Sequence, residues 1–140
     1  MFDGISCGHV ALDRAGIKVD NYYASEIEPN AIKVTMKNYP NTIQLGDITT
    51  LDLSTLPQID LLIGGSPYQG FSKAGKGLNF EDPRSKLFFV YVDVLKYLRN
   101  RNPNLHFLLE NVEMKKEWED VITEYLGVEP IHINSNLVSA

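Results

Sequence analysis

The sequence predicts a doubly wound α/β domain, with a mostly parallel sheet and helices on both faces. Two observations carry that prediction. Segments of strand character alternate with segments of helical character across short polar connections, the pattern of a parallel sheet whose crossovers are helices. The apolar run at 59–63 then empties directly into Gly64-Gly65-Ser66-Pro67, as a strand buried on both faces does when it ends in a turn.

Met1 and Phe2 read as the tail of a first strand, followed by the turn Asp3-Gly4-Ile5-Ser6-Cys7-Gly8 and a helix over 8–15 stopped by Gly16. A second strand is predicted over 19–25. Pro29 then stands where a first helical turn tolerates proline, opening a helix that runs to 39 and ends before Pro40. A short third strand covers 42–45, and the fourth is 59–63. The segment 70–86, rich in Gly, Lys and Ser with Pro83 inside it, is too long and polar for a simple connector and reads as a lid or binding loop. Its Lys73, Lys76, Arg84 and Lys86 outnumber Glu81 and Asp82, which suits a DNA-facing loop and a solvated one equally. A helix over 87–98, a fifth strand over 105–109, a helix over 113–125 stopped by Gly127 and a sixth strand beginning at 131–134 complete the pattern. Leu87, Phe88, Phe89, Tyr91 and Trp118 read as core, and Lys96, Arg99 and Arg101 as complements to a helix dipole.

A chain of 140 residues with 44% hydrophobic content suits one compact domain spanning 1–140. No stretch approaches the roughly 20 apolar residues of a membrane span, and no secretory leader is visible, so a cytoplasmic protein with no membrane association is expected. Cys7 is the single cysteine, which excludes an internal disulfide, and His9, His106 and His132 are too scattered to suggest a metal site. A formal charge of −5 argues against a strong non-specific hold on DNA, because that affinity comes mainly from Lys and Arg on phosphates.

Ligands of open parallel sheets bind outside the carboxyl ends of the strands, so the strand-ending loops hold the candidate site. The first carries Gly4 and Gly8, the second Glu26, the third Asp47, the fourth Ser66-Pro67-Tyr68-Gln69 and the fifth Glu110-Asn111. An acidic residue after the second strand is placed to accept hydrogen bonds from ribose hydroxyls. The first loop lacks the Gly-x-Gly-x-x-Gly spacing on which a pyrophosphate rests, so a nucleoside without one fits better than a nicotinamide dinucleotide. Taken singly, Glu26 and Asp47 could equally be turn or capping carboxylates, and the glycines could serve tight turns alone.

Together, Phe2-Asp3-Gly4 with Gly8, Glu26, Gly46-Asp47, Gly64-Gly65-Ser66-Pro67-x-Gln69 and Glu110-Asn111-Val112, in this order, resemble the DNA cytosine-5-methyltransferases, essentially end to end. The resemblance implies a Rossmann-like S-adenosylmethionine-dependent methyltransferase fold, with S-adenosylmethionine as cofactor and DNA as partner. It implies that Phe2 and the turn Asp3 to Gly8, including Gly4, line the cofactor pocket, with Glu26 on the ribose and Ile27, Asp47 and Ile48 around the adenine. Glu110 matches the family glutamate that engages nitrogen 3 of the cytosine, and Asn111 is its structural neighbour.

Between Pro67 and Gln69 the family has a cysteine whose thiolate attacks carbon 6 of a flipped-out cytosine; here the residue is Tyr68. A phenol with an ordinary pKa of about 10 is on the order of 0.1% ionised at neutral pH, and its ring is far larger than a thiol. The chain alone is therefore expected to be catalytically impaired. Ser66-Pro67-Tyr68 also resembles the Ser-Pro-Pro-Tyr loop of amino-group methyltransferases with one proline missing, but the doubled glycine and Glu110-Asn111-Val112 follow the cytosine-5 pattern. In the family the strand resembled by 133–140 leads into a Gln-x-Arg-x-Arg segment and a target recognition region, and several apolar residues precede Phe2; this chain is expected to lack these parts. A second methyltransferase subunit could supply such parts; a non-catalytic regulator and a decaying gene fragment are the other readings.

Overall fold

The computed structural model describes residues 1–65, 86–134 and 136. Among these the chain runs α1 (Cys7–Arg14), β1 (Tyr23–Ala24), α2 (Pro29–Asn38), β2 (Ile43–Gln44), a short 3-10 turn (Leu53–Thr55), β3 (Leu61–Gly65), α3 (Lys86–Arg101), β4 (His106–Glu110) and α4 (Lys116–Leu126).

Local chemistry sets three of the helix ends. Beyond Ala15, the cap of α1, Gly16 takes a left-handed φ of 71°. Its N–H bonds to Asp13 O, and the Ile17 N–H reaches back to Leu12 O, both at 3.0 Å. That pair of bonds closes the helix on its own carbonyls and needs a residue without a Cβ at the turn. Gly127 ends α4 with the same left-handed φ of 71°. At the start of α2 Pro29 occupies the first turn, where a missing N–H costs nothing, and the Glu28 carboxylate accepts from the Asn30 N–H at 3.2 Å.

Two parallel pairs form the sheet: Tyr23 and Ala24 of β1 lie beside Ile43 and Gln44 of β2, and Leu61 to Gly65 of β3 beside His106 to Glu110 of β4. Residues 1–3 join them. The Met1 nitrogen donates to Ile63 O at 2.6 Å and the Asp3 N–H to Ser25 O at 3.2 Å, so the spatial order is β2, β1, residues 1–3, β3, β4. The chain moves outward on one side and then returns to the other, which places a topological switch point beside residues 1–3.

Helices cover both faces. Gly64 of β3 faces the Tyr91 ring of α3, whereas Ile63, pointing the opposite way, meets Gly8 of α1. The buried core is built mainly from α3, with Phe88, Tyr91, Val92, Val94, Leu95 and Leu98 packed on Leu62, Ile48, Leu56, Leu105 and Leu126. Tyr125 of α4 adds edge-on contacts to Phe88 and Phe89 at 6.0 and 5.3 Å. The basic end of α3 does more than offset a dipole: Arg101 donates to Leu56 O at 2.8 Å, and Arg99 lies 4.7 Å over the Phe107 ring. No helix among the described residues is long and apolar enough to cross a membrane.

Tyr91 is fully buried, yet its hydroxyl has no hydrogen-bond partner among the described residues, and burial pushes its pKa up. A buried hydroxyl without a partner is a net cost. Tyr91→Phe is therefore expected to raise stability by up to about 1 kcal/mol, read as a higher denaturant midpoint. A drop of similar size would show that the hydroxyl does have a partner.

Several elements differ from the sequence prediction. The strand expected over 19–25 shrinks to Tyr23–Ala24 because only those residues find partners in β2. Residues 131–134 form no strand; Ile131 and Ile133 are 86% and 73% exposed, and among the described residues no edge pairs with them. β3 is buried at Leu62 and Gly64 but exposed at Leu61, so its two faces are unequally covered. The helix expected from 113 begins at Lys116, with Lys115 as an extended cap.

Candidate functional site

Among the described residues, two of the cavities lie against the sheet. The larger, about 480 Å³, lies between β1 and β3 and is lined by residues that precede those strands, Asp20, Asn21, Ile59 and Asp60, together with Leu62, Val94 and Leu98. It reaches from the amino ends of these strands to Ser25 and Ile48, which it shares with the smaller cavity. The smaller, about 200 Å³, is lined by Phe2, Ser25, Glu26, Ile27, Asp47, Ile48 and Leu87. All of these but Leu87 lie at the ends of the first three extended segments, at the carboxyl ends and beside the switch point, where parallel sheets hold ligands. The smaller cavity is the candidate site.

Five expected cofactor residues, Phe2, Glu26, Ile27, Asp47 and Ile48, thus converge on one cavity. Its walls are largely apolar, and Ile27 is 70% exposed, an aliphatic side chain left in water beside a concave surface. Leu87, read from sequence as core, also lines it. That position was not recognisable as site-forming because Leu87 stands on α3, far along the chain from the strand-ending loops, and a leucine carries no chemical signature.

Glu26 is partly buried and accepts three main-chain hydrogen bonds: Gly4 N–H at 2.7 Å on one oxygen, and Ile27 and Glu28 N–H at 2.8 and 2.9 Å on the other. Burial pushes its pKa up, but the amides of Glu28, Gly4 and Ile27 together outweigh that and hold it below the usual carboxylate value. The side chain is thus an ionised acceptor fixed at the rim of the cavity. Asp47 is similarly tied, its Oδ1 accepting from the Thr49 N–H and hydroxyl, both at 2.8 Å, and these bonds lower its pKa.

Asp3, Gly4 and Gly8 do not line the cavity. Gly4 reaches it through its bond to Glu26; Asp3 points into the turn, bonded to Tyr22 and Ser6; Gly8 packs against Tyr22 and Ile63. The turn also holds two non-glycine residues in left-handed backbone, Phe2 at φ 54° and Ser6 at φ 64°. Such conformations persist only where the surroundings over-determine them, and they concentrate at ligand sites.

At the far side of the switch point, Glu110 ends β4 opposite Gly65. A Cβ on Gly65 would lie 2.9 Å from a Glu110 carboxylate oxygen, so the second glycine of the pair is what lets this carboxylate lie across β3. The Asn111 side chain accepts from the Val112 N–H at 2.9 Å and shapes the loop after β4. Pro67, Tyr68 and Gln69 lie outside the described residues.

The family model for C-5 cytosine-specific DNA methylases matches residues 1–122. Among curated proteins, the type II methyltransferase M.NgoBV of Neisseria gonorrhoeae is 39% identical over 117 residues, which is 81% of this chain and 27% of that protein. The orphan methyltransferase M.Rho11sI of Bacillus phage rho11s is 40% identical over 115 residues, again 81% of this chain and 22% of the relative. The chain thus spans only about a quarter of the length of these relatives. Among solved structures, a mutant of DNMT2 from Spodoptera frugiperda superposes with a TM-score of 0.65 at 27% identity, covering 90% of this chain and 39% of that one. A sheet of parallel strands with helices on both faces and a strand-end cavity at its switch point is what this Rossmann-like methyltransferase fold requires, and the chain belongs to the C-5 cytosine-specific DNA methylase family.

Proposed function

We propose that the chain is an S-adenosylmethionine-binding methyltransferase domain that does not by itself methylate cytosine. The observation that carries the binding half is the convergence of Phe2, Glu26, Ile27, Asp47, Ile48 and Leu87 on one cavity at the carboxyl ends of the strands. The residue types fit the cofactor. Aromatic and aliphatic side chains offer apolar faces to a flat purine, and an ionised Glu26 accepts hydrogen bonds from ribose hydroxyls. Asp47 accepts from an amino group on the same ring system. The turn from Asp3 to Gly8 frames the methionine end, and the bound cofactor supplies the methyl group.

Tyr68 carries the second half. Methyl transfer to carbon 5 needs an electron-rich ring, which the family obtains by covalent attack on carbon 6 from the position between Pro67 and Gln69. A neutral phenol is a poor nucleophile at pH 7 and a bulky one. Glu110 would still serve to engage nitrogen 3 of a cytosine, with Asn111 holding its loop. The same substitution favours a second reading, a non-catalytic subunit or regulator that holds cofactor, DNA or a methyltransferase partner.

Calorimetric titration of the purified chain with S-adenosylmethionine, beside a methyl-transfer assay on duplex DNA, tests both halves. Saturable binding without transfer is expected. Absence of binding by a demonstrably folded chain overturns the cofactor reading, and methyl transfer to cytosine overturns the role given to Tyr68.

A further inference from the structure

Asp3 stands at the head of the cofactor turn, yet each oxygen of its partly buried carboxylate is bonded within the protein. Oδ1 accepts from the Tyr22 hydroxyl at 2.7 Å, and Oδ2 accepts from the Ser6 hydroxyl in a short hydrogen bond. Ser6 is completely buried, and its Oγ also lies 3.0 Å from Thr35 Oγ1 on α2. Thr35, equally buried, approaches Gly4 O at 3.5 Å. The Ser6 N–H closes the turn on Asp3 O at 3.0 Å. A chain of side chains therefore runs from Tyr22 through Asp3 and Ser6 to Thr35, none of which lines the cavity.

Tyr22 is itself held on several sides. Its ring stacks on His9 at 4.4 Å, and the other face of the same arrangement is Tyr39, 3.9 Å from His9 and bonded to Asp13 at 2.9 Å. Its hydroxyl donates to Asp3, and burial followed by the Asp3 bond pushes its pKa up, so it remains a donor. Gly8 makes this possible: a Cβ there would stand 3.0 Å from the Tyr22 oxygen. The space that Gly8 leaves is filled by a hydroxyl of the protein.

We propose that Tyr22 is a positioning residue of the cofactor site. Through its bond to Asp3 it locks the turn in the shape that presents the Gly4 N–H to Glu26, so Asp3 and Gly8 frame the site and do not touch the cofactor. The proposal rests on the S-adenosylmethionine reading for its effect on affinity, but not for its effect on the turn. Locking matters because the turn contains Phe2 and Ser6 in left-handed backbone. A turn free to relax would move the Phe2 ring off the cavity wall and release Glu26 from the Gly4 N–H, and the ordering would then count against binding.

A contact role and a framing role for Asp3 predict different variants. If Asp3 met the cofactor through its charge, Asp3→Asn and Asp3→Ala would lose affinity alike. In the framing role asparagine largely suffices: its oxygen accepts from Tyr22, its amide donates to Ser6 Oγ, and the Ser6 proton turns to Thr35. Asp3→Asn is then expected to weaken S-adenosylmethionine binding by about threefold, whereas Asp3→Ala and Tyr22→Phe each weaken it roughly tenfold, the scale of a lost hydrogen bond to a charged group. In the Asp3→Ala background, Tyr22→Phe is expected to cost nothing further, because the hydroxyl has lost its partner.

Hydrogen exchange of the Gly4 and Ser6 amides in the cofactor-free chain gives the ligand-independent readout. Both are expected to exchange at least about tenfold faster in Tyr22→Phe, while amides of α3 stay protected. Asparagine as damaging as alanine, additive losses in the double variant, or unchanged Gly4 and Ser6 exchange would each overturn the proposal. If the wild-type chain binds no S-adenosylmethionine while exchange responds as expected, the cofactor reading fails and the framing role of Tyr22 stands.

Discussion

Glu26→Ala is expected to lower the affinity for S-adenosylmethionine by about 100-fold or more, the largest effect of any single substitution in the cavity. Two losses combine. The variant removes the charged acceptor placed for the ribose hydroxyls, and hydrogen bonds to charged groups are the strong ones, about 1.5–3 kcal/mol each. It also releases the Gly4, Ile27 and Glu28 N–H groups that the carboxylate now gathers, so the cavity wall loses its fixed geometry. Glu26→Gln keeps the size and one acceptor oxygen but loses the charge and turns its NH2 toward the Gly4 N–H, and should fall between, at roughly tenfold. Thermal melting separates the two losses. The freed amides lie near solvent, where water replaces most of what they lose, so the midpoint should fall by only a few degrees while affinity collapses. An alanine variant that binds within threefold of wild type would mean that the cofactor does not use this carboxylate.

Gly64→Ala is expected to destabilise the fold by about 1–3 kcal/mol, the range for overpacking a close-packed core. The added Cβ would lie 2.8 and 2.9 Å from two carbons of the Tyr91 ring. Those are distances that real side chains essentially never show, so something must move. The ring cannot swing aside, because Tyr91 is fully buried among Phe88, Val92 and Leu95, and β3 cannot retreat without breaking its five-residue ladder with β4. For a chain of this length the loss corresponds to a fall of the thermal midpoint of on the order of 5–10 °C. Replacing the ring by a smaller side chain, as in Gly64→Ala with Tyr91→Leu, should recover part of it. Recovery would identify the clash as the cause, and its absence would point instead to backbone strain at the end of β3.

Gly64 shows why part of this protein could be read from its sequence and part could not. As the first of a glycine pair after an apolar run, it marks the end of a strand and the start of a loop. That it faces an aromatic ring from a helix more than twenty residues downstream depends on how α3 packs. Gly8 is similar: a glycine at the start of a helix reads as room for a ligand, but the side chain that fills the room is Tyr22, brought there by β1. Glu26 could be placed at the ribose from its position after the second strand, yet its bond from the Gly4 N–H depends on residues 1–4 lying beside β1. Leu87 was invisible as a site residue for the same reason.

Strand lengths were the least legible feature. A strand exists only where a neighbour pairs with it, so 19–25 contracted to the two residues that meet β2, and the alternating isoleucines at 131–134 stayed unpaired. Helix ends were far more legible, because a left-handed glycine after the last turn or a proline in the first acts within a few residues of where it stands. What the sequence by itself determined was therefore the alternation of elements, the helix ends at Gly16, Pro29 and Gly127, and the set of strand-ending loops that carry Phe2, Glu26, Asp47 and Glu110, all consequences of local backbone sterics and hydrophobic pattern. The tertiary structure alone decided which of those residues share a cavity and which only frame it, because that depends on sheet order and on side chains brought together from distant parts of the chain.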